Sequence, residues 1–325
     1  MRKTYPALLV ALVAGSTIGP PDAEPPTPAP VTSEAAGPTT TPPSPTTASF
    51  PVTVLAANGA VEIPTLPERI VSLSATHTEV LFAIGAGDQV VAVDLFSDFP
   101  PEARERQQID AFQLNVEAVA VLDPDLVVLA FDPGEAVTAF QALEIPALLF
   151  DAPADLEAAY AQWEVLGAAT GHVAEAAEAV AEVQHRIDQA VASVPAPEEP
   201  ITYYHELDPS YFTVTSSTFV GRVYGLFGLE SIADGADPDG TGFPQLSGEA
   251  IVAADPDVIF LADTLCCGQS PETVAARPGW DTLTAVREGR VVPLGDDVAS
   301  RWGPRLADLA EVVAAAVIQQ SVPVR

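Results

Sequence analysis

Two short apolar runs are each preceded by the same polar phrase. Residues 122–130 read LDPDLVVLA, and residues 254–262 read ADPDVIFLA. Neither run alternates with polar residues, which is typical of a parallel-sheet strand that is covered on both faces. Because proline disfavours helix at the residue before it, each Asp-Pro marks the end of a short helical segment. The pattern therefore predicts a duplicated unit of helix, Asp-Pro-Asp and buried strand.

Other segments extend this alternation of helices and strands. The helical stretches before the two runs are 115–121 and 247–253. Further helices are predicted at 76–85, 135–143 and 217–228, and further strands at 69–73, 90–93, 147–150, 201–204 and 291–294. The segments 79–85 and 222–228 both close on glycine, as helices commonly do. Such alternation indicates an α/β fold, so we predict two similar lobes with parallel-type sheets, at residues 51–152 and 196–325.

Residues 153–195, between the two lobes, show a helical period. Apolar residues recur at steps of three and four, so one helix face is expected to be buried. We expect Gly167 and Gly171 to break the segment, which leaves a second helix of about 23 residues, about 35 Å long. A rigid helix of this length joins the lobes and limits how far they can swing.

The first 50 residues differ in composition from the rest. Residues 1–16 contain Arg2 and Lys3, then an apolar run, then small residues, which is the order of an export signal. That run is too short to span a bilayer. Residues 17–50 are rich in proline and threonine and poor in aliphatic residues, which predicts a disordered linker that acts as a tether.

The charge of the chain limits its partners. With 45 acidic and 13 basic residues, the formal net charge is −32. Such a surface repels nucleic acid phosphates and anionic lipid, so we expect neither as a partner. We interpret the acidity as a device for solubility or for a salty or acidic environment.

The two cysteines, Cys266 and Cys267, are adjacent. Neighbouring Cα atoms lie about 3.8 Å apart, which is below the usual disulfide range of about 4.4 to 6.8 Å. A strained vicinal disulfide and two free, buried thiols both remain open. Two cysteines are too few to argue for a metal site.

Several segments, in order, resemble the helix-linked (class III) substrate-binding proteins of ABC importers. This family captures iron-siderophores, haem or cobalamin outside the membrane. The segments are PERIVSL at 67–73, THTEVLFAIGAGDQVVAV at 76–93, FSDFPPE at 96–102, NVEAVAVLDPDLVVLA at 115–130 with its later echo, and RPGWDTLTAVREGRVVPL at 277–294. The resemblance covers the chain from about Phe50 to its end.

The resemblance implies a binding protein rather than an enzyme, acting as a monomer without a cofactor. It implies a ligand cleft between the lobes, and delivery of a large metal chelate to a membrane permease. We favour an iron chelate, a ferric siderophore, because that class is larger, with cobalamin or haem as the alternative. In this family an acidic residue in each repeated segment pairs with permease arginines. By motif, those residues are Glu117 and Glu249.

The cleft is the expected ligand site because concave sites favour domain interfaces. Aromatic side chains suit flat chelates, and Arg301 or Arg305 could pair with ligand carboxylates. By family position, one wall carries Phe96 and Phe112, the facing wall carries Phe243 and the loop 296–305 with Asp297, Arg301 and Trp302, and Tyr203, Tyr204 and His205 are secondary candidates.

The predicted location is exported and extracytoplasmic. Signals of Gram-positive lipoproteins of this kind end in small residues followed by the cysteine that is acylated. Here Val13, Ala14 and Gly15 are followed by Ser16. We therefore expect a cell-surface lipoprotein if residue 16 is naturally cysteine, and otherwise a secreted or periplasmic protein.

Two rival functions find less support. A protein that binds bare zinc or manganese needs three or four ligands at the cleft, but two of the four histidines, His172 and His185, lie in the linking helices. An exported hydrolase would be expected to carry a G-x-S-x-G or H-E-x-x-H motif, and the sequence contains neither.

Overall fold

The computed structural model describes residues 49–197 and 199–320. The predicted export signal, Ser16 and nearly all of the predicted linker lie outside the described residues. Within the described part, the chain alternates short strands with helices, as the sequence pattern predicts.

The N-terminal lobe carries a hairpin and a parallel sheet. The hairpin joins β1 (Val52–Ala56) to β2 (Gly59–Ile63). The sheet has the order β5-β4-β3-β6-β7, with every neighbouring pair parallel. Its strands are β3 (Ile70–Leu73), β4 (Val90–Asp94), β5 (Gln107–Ile109), β6 (Leu126–Leu129) and β7 (Ala147–Leu149). Its helices are α1 (Ala75–Ala83), α2 (Val116–Ala120) and α3 (Ala136–Ala142).

The C-terminal lobe repeats the same plan with a parallel sheet of order β11-β10-β8-β9. Its strands are β8 (Ile201–Glu206), β9 (Leu229–Ser231), β10 (Val258–Leu261) and β11 (Val291–Pro293). In each lobe the duplicated strand, β6 or β10, lies beside the first strand of its sheet, β3 or β8. The prediction of two similar lobes with parallel sheets is confirmed.

Helices of the C-terminal lobe and the linking segment complete the chain. The linking helices are α4 (Leu156–Thr170) and α5 (Val173–Ser193). Those that follow are α6 (Phe219–Gly225), α7 (Gly248–Ala254), α8 (Thr264–Cys267), α9 (Pro271–Ala275), α10 (Thr284–Arg287), α11 (Asp296–Ser300) and α12 (Leu306–Gln320).

The repeated Asp-Pro-Asp has the same structural role in both lobes. The first aspartate follows the helix and has a positive φ, 52° at Asp123 and 45° at Asp255. The second aspartate binds the start of the neighbouring first strand. Asp125 accepts from the backbone N–H of Arg69 at 2.9 Å, and Asp257 accepts from that of Thr202 at 2.9 Å. The phrase therefore occurs twice because each lobe uses it to fix its two central strands side by side.

The linking helices differ from the prediction at one residue. Gly171, with φ 83°, ends α4 as expected. Gly167 does not break the helix. A Cβ at Gly167 would lie 2.4 Å from the Cβ of Ala176, so this glycine allows α4 and α5 to pack closely. The predicted break at Gly167 is therefore wrong, and α5 has 21 residues, which corresponds to about 30 Å.

A continuous hydrophobic core joins both lobes to the linking helices. It includes Val90 and Val128 of the first lobe, Trp163 and Ile187 of the linking helices, and Phe260 of the second lobe. Two smaller clusters lie on the other faces of the two sheets. Each sheet is thus covered on both sides, which explains why β6 and β10 are apolar without alternation.

Candidate functional site

A cavity of about 240 Å³ lies at the carboxyl edge of the N-terminal sheet. The order in which strands are added to the sheet reverses at β3, which has β4 on one side and β6 on the other. In open parallel sheets, ligands bind at the carboxyl ends of strands, at this kind of switch point. The cavity is lined by Leu73, Ser74, Ala75, Thr76, Asp94, Phe96, Ala111, Phe112, Ala130 and Phe131 of the first lobe, with Ser300 and Trp302 of the second. Both lobes therefore contribute to it.

Three phenylalanines form the wall of the first lobe. The exposed fractions of Phe96, Phe112 and Phe131 are 57%, 66% and 36%. The rings of Phe96 and Phe112 meet edge to face at 5.8 Å, and those of Phe112 and Phe131 stack at 5.0 Å. The structure brings the predicted Phe96 and Phe112 together and adds Phe131, which we did not predict. The feature of the sequence that could have indicated Phe131 is its position directly after the apolar run of β6.

Trp302 faces this wall from the second lobe. Its Nε1 donates to Oε1 of Gln162, on α4, at 2.9 Å. The same oxygen lies 3.1 Å from Nε2 of His77, whose ring stacks on Phe150 with centroids 4.7 Å apart. Burial lowers the pKa of His77 to about 4, so this histidine is neutral near pH 7. The indole of Trp302 is therefore held by the linking helix rather than by the lobe that carries it.

Asp94 lies at the base of the cavity. Its carboxylate accepts from the N–H of Phe96 at 2.7 Å and from Oγ of Ser97 at 2.6 Å. Burial raises the pKa of Asp94. The two hydrogen bonds fix the turn that presents Phe96 to the cavity.

The predicted cleft residues Arg301 and Asp297 belong to an ion network between the lobes. Nη1 of Arg301 donates to Glu79 at 2.9 Å and to Asp98 at 3.0 Å, and Nη2 donates to the carbonyl of Phe96 at 2.8 Å and to Asp297. Arg305 also donates to Glu79, at 3.0 and 2.5 Å. Burial raises the pKa of Asp98, but the hydrogen bond and charge of Arg301 outweigh this, so the pKa is lowered.

Glu79 is the centre of this network. It lies on α1 of the first lobe, its side chain is fully buried, and it binds two arginines of the second lobe. The sequence predicted that Arg301 or Arg305 pairs with a ligand. In this structure both guanidinium groups instead form ion pairs with carboxylates of the protein, and these pairs join the two lobes.

Two predicted residues lie in the core of the second lobe instead of the cleft. Tyr204 and His205 expose none of their surface. The ring of Tyr204 packs against Trp280, and Nδ1 of His205 hydrogen-bonds the hydroxyl of Tyr224 at 2.8 Å. Burial lowers the pKa of His205 to about 3. Because helices cover both faces of β8, neither side chain reaches the cavity, and the same holds for Tyr203, which is also fully buried.

Phe243 is 52% exposed but does not line the cavity. It lies on a segment that hydrogen-bonds residues after β8, with the N–H of Thr213 donating to Pro244 at 3.0 Å and that of Thr215 donating to Gly242 at 2.9 Å. Its role as a ligand contact stays a prediction.

An acid cluster at the carboxyl edge of the second sheet was not predicted. Glu206, fully buried at the end of β8, binds both terminal nitrogens of Arg277 at 2.6 Å. Asp263, just after β10, is also fully buried, and neither of its carboxylate oxygens has a hydrogen-bond partner in the described structure. Burial and the nearby charge of Glu206 raise the pKa of Asp263 to about 7. The sequence gives no sign of this pairing, because the three residues are far apart along the chain.

Glu117 and Glu249 occupy matching, exposed places in the two lobes. Each is the second residue of its helix, α2 or α7, after a cap whose side chain accepts a backbone N–H: Asn115 at 2.8 Å and Ser247 at 3.1 Å. A helix that precedes a strand of a parallel sheet runs opposite to that strand. Both glutamates therefore lie at the level of the carboxyl edges, where the ligand cavity opens.

Cys266 and Cys267 form a vicinal disulfide, with Cα atoms 3.8 Å apart. Both residues are exposed, so the alternative of two free, buried thiols is wrong. The loop is held by Asp296, which accepts from the N–H groups of Leu265 at 3.0 Å and Cys266 at 2.7 Å.

Residues 49–197 and 199–320 contain no group of three or more His, Cys, Asp or Glu side chains arranged to hold a metal ion. None of the helices in these ranges is long and apolar enough to cross a membrane.

Comparison with known proteins agrees with this architecture. The periplasmic binding protein family model matches residues 70–298. The chain is 30% identical over 278 residues to the uncharacterized ABC transporter substrate-binding lipoprotein YvrC of Bacillus subtilis (strain 168), covering 82% of this chain and 86% of the relative. It is 33% identical over 271 residues to a cobalamin-binding protein of Halobacterium salinarum, covering 80% and 72%.

A solved structure with the same fold is the periplasmic vitamin B12 binding protein BtuF of Vibrio cholerae. The TM-score is 0.66 at 26% identity, and the match covers 80% of this chain and 100% of that chain. The two lobes, the linking helices and the family match lead to one assignment. The chain belongs to the periplasmic binding protein family, and its predicted class, the substrate-binding proteins of ABC importers, is confirmed.

Proposed function

We propose that this protein captures a corrinoid of the cobalamin type outside the cytoplasmic membrane and delivers it to an ABC permease. The observation that carries the proposal is the cavity at the carboxyl edge of the first sheet, with its three exposed phenylalanines and Trp302 opposite. Stacked aromatic rings bind a large flat ligand over much area and lose little side-chain entropy.

The charge of the cavity distinguishes between ligand classes. Arg301 and Arg305, the arginines of the predicted cleft loop, are both paired with protein carboxylates, and no arginine of the described residues lines the cavity. Haem carries two carboxylates, and ferric catecholates are anionic, so both call for unpaired cations. Cobalamin instead has a rim of neutral amides. The paired arginines therefore favour a corrinoid over the iron chelate that the sequence alone favours.

Relatives support the same choice. The Halobacterium salinarum protein is named for cobalamin binding, and proteins of Pectobacterium and Yersinia that match at 29% to 30% identity are named for binding vitamin B12. A periplasmic heme-binding protein of Roseiflexus, at 26% identity and a TM-score of 0.68, keeps haem as the second candidate ligand.

Docking is proposed for Glu117 and Glu249. Two matched carboxylates, one on each lobe, suit a permease with two equivalent subunits that each present an arginine. Exposed ion pairs of this kind are weak, so they set the register of a transient complex rather than its affinity. We propose a monomer that is exported, and anchored by lipid only if residue 16 is naturally cysteine.

Tryptophan fluorescence tests the ligand site. Of the three tryptophans, only Trp302 lines the cavity. Cyanocobalamin absorbs at the wavelengths of tryptophan emission and should quench Trp302 strongly on binding. Trp302→Ala should weaken cyanocobalamin binding, measured from the quenching of the remaining tryptophans, whereas Trp163→Phe should leave the affinity unchanged. Unchanged affinity in the Trp302→Ala protein would place the ligand elsewhere and contradict the proposal.

A further inference from the structure

A second concave surface lies beside Glu249 on the C-terminal lobe. It has a volume of about 540 Å³ and is formed by the start of α7 and the turn after α9. We call it the α7 groove, and it is lined by Tyr211, Gly248, Glu249, Val252, Ala253, Pro278, Gly279 and Trp280. It is separate from the ligand cavity, since the two share no lining residue.

Trp280 forms a fixed floor for the α7 groove. Its side chain is 1% exposed and stacks on Tyr211 with ring centroids 5.7 Å apart. The guanidinium of Arg277 lies 4.5 Å from the centre of the Trp280 ring, and Arg277 is itself held by both oxygens of Glu206. A floor supported from behind in this way does not need to rearrange when a partner arrives.

The indole N–H of Trp280 has no acceptor among the described residues. The other two tryptophans both donate, Trp163 to the carbonyl of Trp302 and Trp302 to Gln162. A buried indole N–H usually finds a partner. A Cβ added at Gly248 would lie 3.8 Å from Nε1 of Trp280, so the glycine leaves this donor open to the groove. The groove therefore offers one unused donor on an apolar floor.

The rim of the groove is anionic. Glu249 is exposed on it, Arg277 is neutralised behind the floor, and the whole chain has a net charge of −32. A partner that fits these features brings a cationic side chain next to an apolar one. At the matching position of the N-terminal lobe, Val121 stands in place of Ala253 and is 85% exposed.

We propose that the α7 groove receives a loop of the permease. An apolar side chain of that loop packs on Val252 and Trp280, a main-chain carbonyl accepts from Nε1 of Trp280, and an arginine pairs with Glu249. The inference rests on the proposed function and adds to it. Each docking face carries one glutamate, Glu117 or Glu249, but the two faces are not equivalent. The C-terminal face contributes more to the affinity of the complex.

Filling the groove tests the inference. Gly248→Leu places a branched side chain over the indole N–H, while Gly248→Ala adds one methyl at ordinary contact distance from Tyr211 and Trp280, 3.6 to 3.8 Å. The full chain is titrated onto its partner permease embedded in nanodiscs. We expect Gly248→Leu to weaken docking about tenfold or more, which corresponds to about 1.4 kcal/mol, and Gly248→Ala to dock nearly as well as the wild type. Cyanocobalamin affinity should be unchanged in both variants.

A spectroscopic readout separates this inference from the proposed function. In protein labelled with ¹⁵N-tryptophan, the three indole N–H signals are followed by NMR. Cyanocobalamin should shift the signal of Trp302, and docking should shift that of Trp280. Wild-type docking without a change at Trp280, or full docking by Gly248→Leu, would overturn the groove inference. An unchanged Trp302 signal with cyanocobalamin would contradict the ligand site instead.

Discussion

The two lobes have the same scaffold, but their carboxyl edges differ. Leu73 pairs with Leu129 in the first sheet at the register where Glu206 pairs with Leu261 in the second. Two residues further on, Phe131 of the first lobe corresponds to Asp263 of the second. The first edge is aromatic and open to a cavity, whereas the second is charged and sealed by Arg277. Duplication has thus preserved the Asp-Pro-Asp connection that fixes the strands, while the residues at the strand ends have diverged.

The comparison indicates which lobe forms most of the cavity and which residues hold the two lobes together. The first lobe supplies most of the cavity, and the second supplies Trp302 and the arginines that bind Glu79. We infer that the second lobe mainly holds the cavity closed on one side.

The proposed docking residues of the two lobes should show the largest effect. Reversing both charges in Glu117→Arg with Glu249→Arg replaces attraction to permease arginines by repulsion, so we expect uptake of ligand to be lost. Ligand affinity should stay at the wild-type level, because both residues lie outside the cavity. Transport is measured in cells or proteoliposomes, with Glu102→Arg, another exposed glutamate of the first lobe, as the matched control. Normal uptake by the double variant would refute the docking assignment.

The contact between the lobes should show the next largest effect. Glu79→Ala removes the buried carboxylate that two arginines share and leaves Arg301 and Arg305 with only the less buried carboxylates of Asp98 and Asp297. Loss of one partner of a buried pair costs about 3 to 5 kcal/mol in the free energy of unfolding. Urea titration measures this, and Glu117→Ala, which removes an exposed carboxylate, should change it little. A Glu79→Ala protein as stable as the wild type would show that the network does not join the lobes energetically.

The aromatic wall should show an effect on affinity alone. Phe112 is 66% exposed, so Phe112→Ala should leave the stability of the fold nearly unchanged. Loss of one stacked ring should weaken corrinoid binding about fivefold or more, since an aromatic contact contributes about 1 kcal/mol beyond its area. Phe243→Ala provides a matched control on the second lobe. Equal losses from both variants would mean that the second lobe contributes an aromatic wall as well.

The acid cluster of the second lobe should show the smallest effect. The folded protein holds the proton of Asp263 up to about pH 7, whereas the unfolded chain loses it near its ordinary pKa. The carboxyl group therefore stabilises the fold fully below that ordinary value, and its contribution is lost as the pH rises to about 7. Asp263→Asn should remove this loss, so its stability at pH 8 relative to pH 5 should be higher than that of the wild type.

Thermal or urea unfolding at the two pH values measures this difference. Asp281→Asn, which changes an exposed carboxylate of the same lobe, should leave the pH dependence as it is in the wild type. An Asp263→Asn protein with the wild-type pH dependence would show that Asp263 is ionised in the folded state.

The sequence predicted what is encoded locally. The apolar runs of β6 and β10, the glycine turn at Gly85 just after α1 and the matched Glu117 and Glu249 all follow from short-range patterns, whereas α6 ends at Gly225, three residues before the predicted end at Gly228. Their positions in the fold do not depend on which distant residues surround them.

What could not be predicted depends on contacts between distant segments. The polar residues of ITYYHE in β8 are buried because helices cover both faces of the sheet, and the sequence of the strand does not reveal this. Gly167 lies within α4 because a side chain at this position would clash with Ala176 of α5. Arg301 binds Glu79, which lies 222 residues earlier, so its pairing became visible only in the folded structure.

Calorimetric titration of the full-length protein with cyanocobalamin, haem, a ferric catecholate siderophore and zinc tests the central claim most directly. The account predicts one-to-one binding of cyanocobalamin with a Kd below about 1 μM, and weaker or undetectable binding of the two anionic chelates and of zinc. Tight binding of the siderophore or haem with none of cyanocobalamin would contradict it.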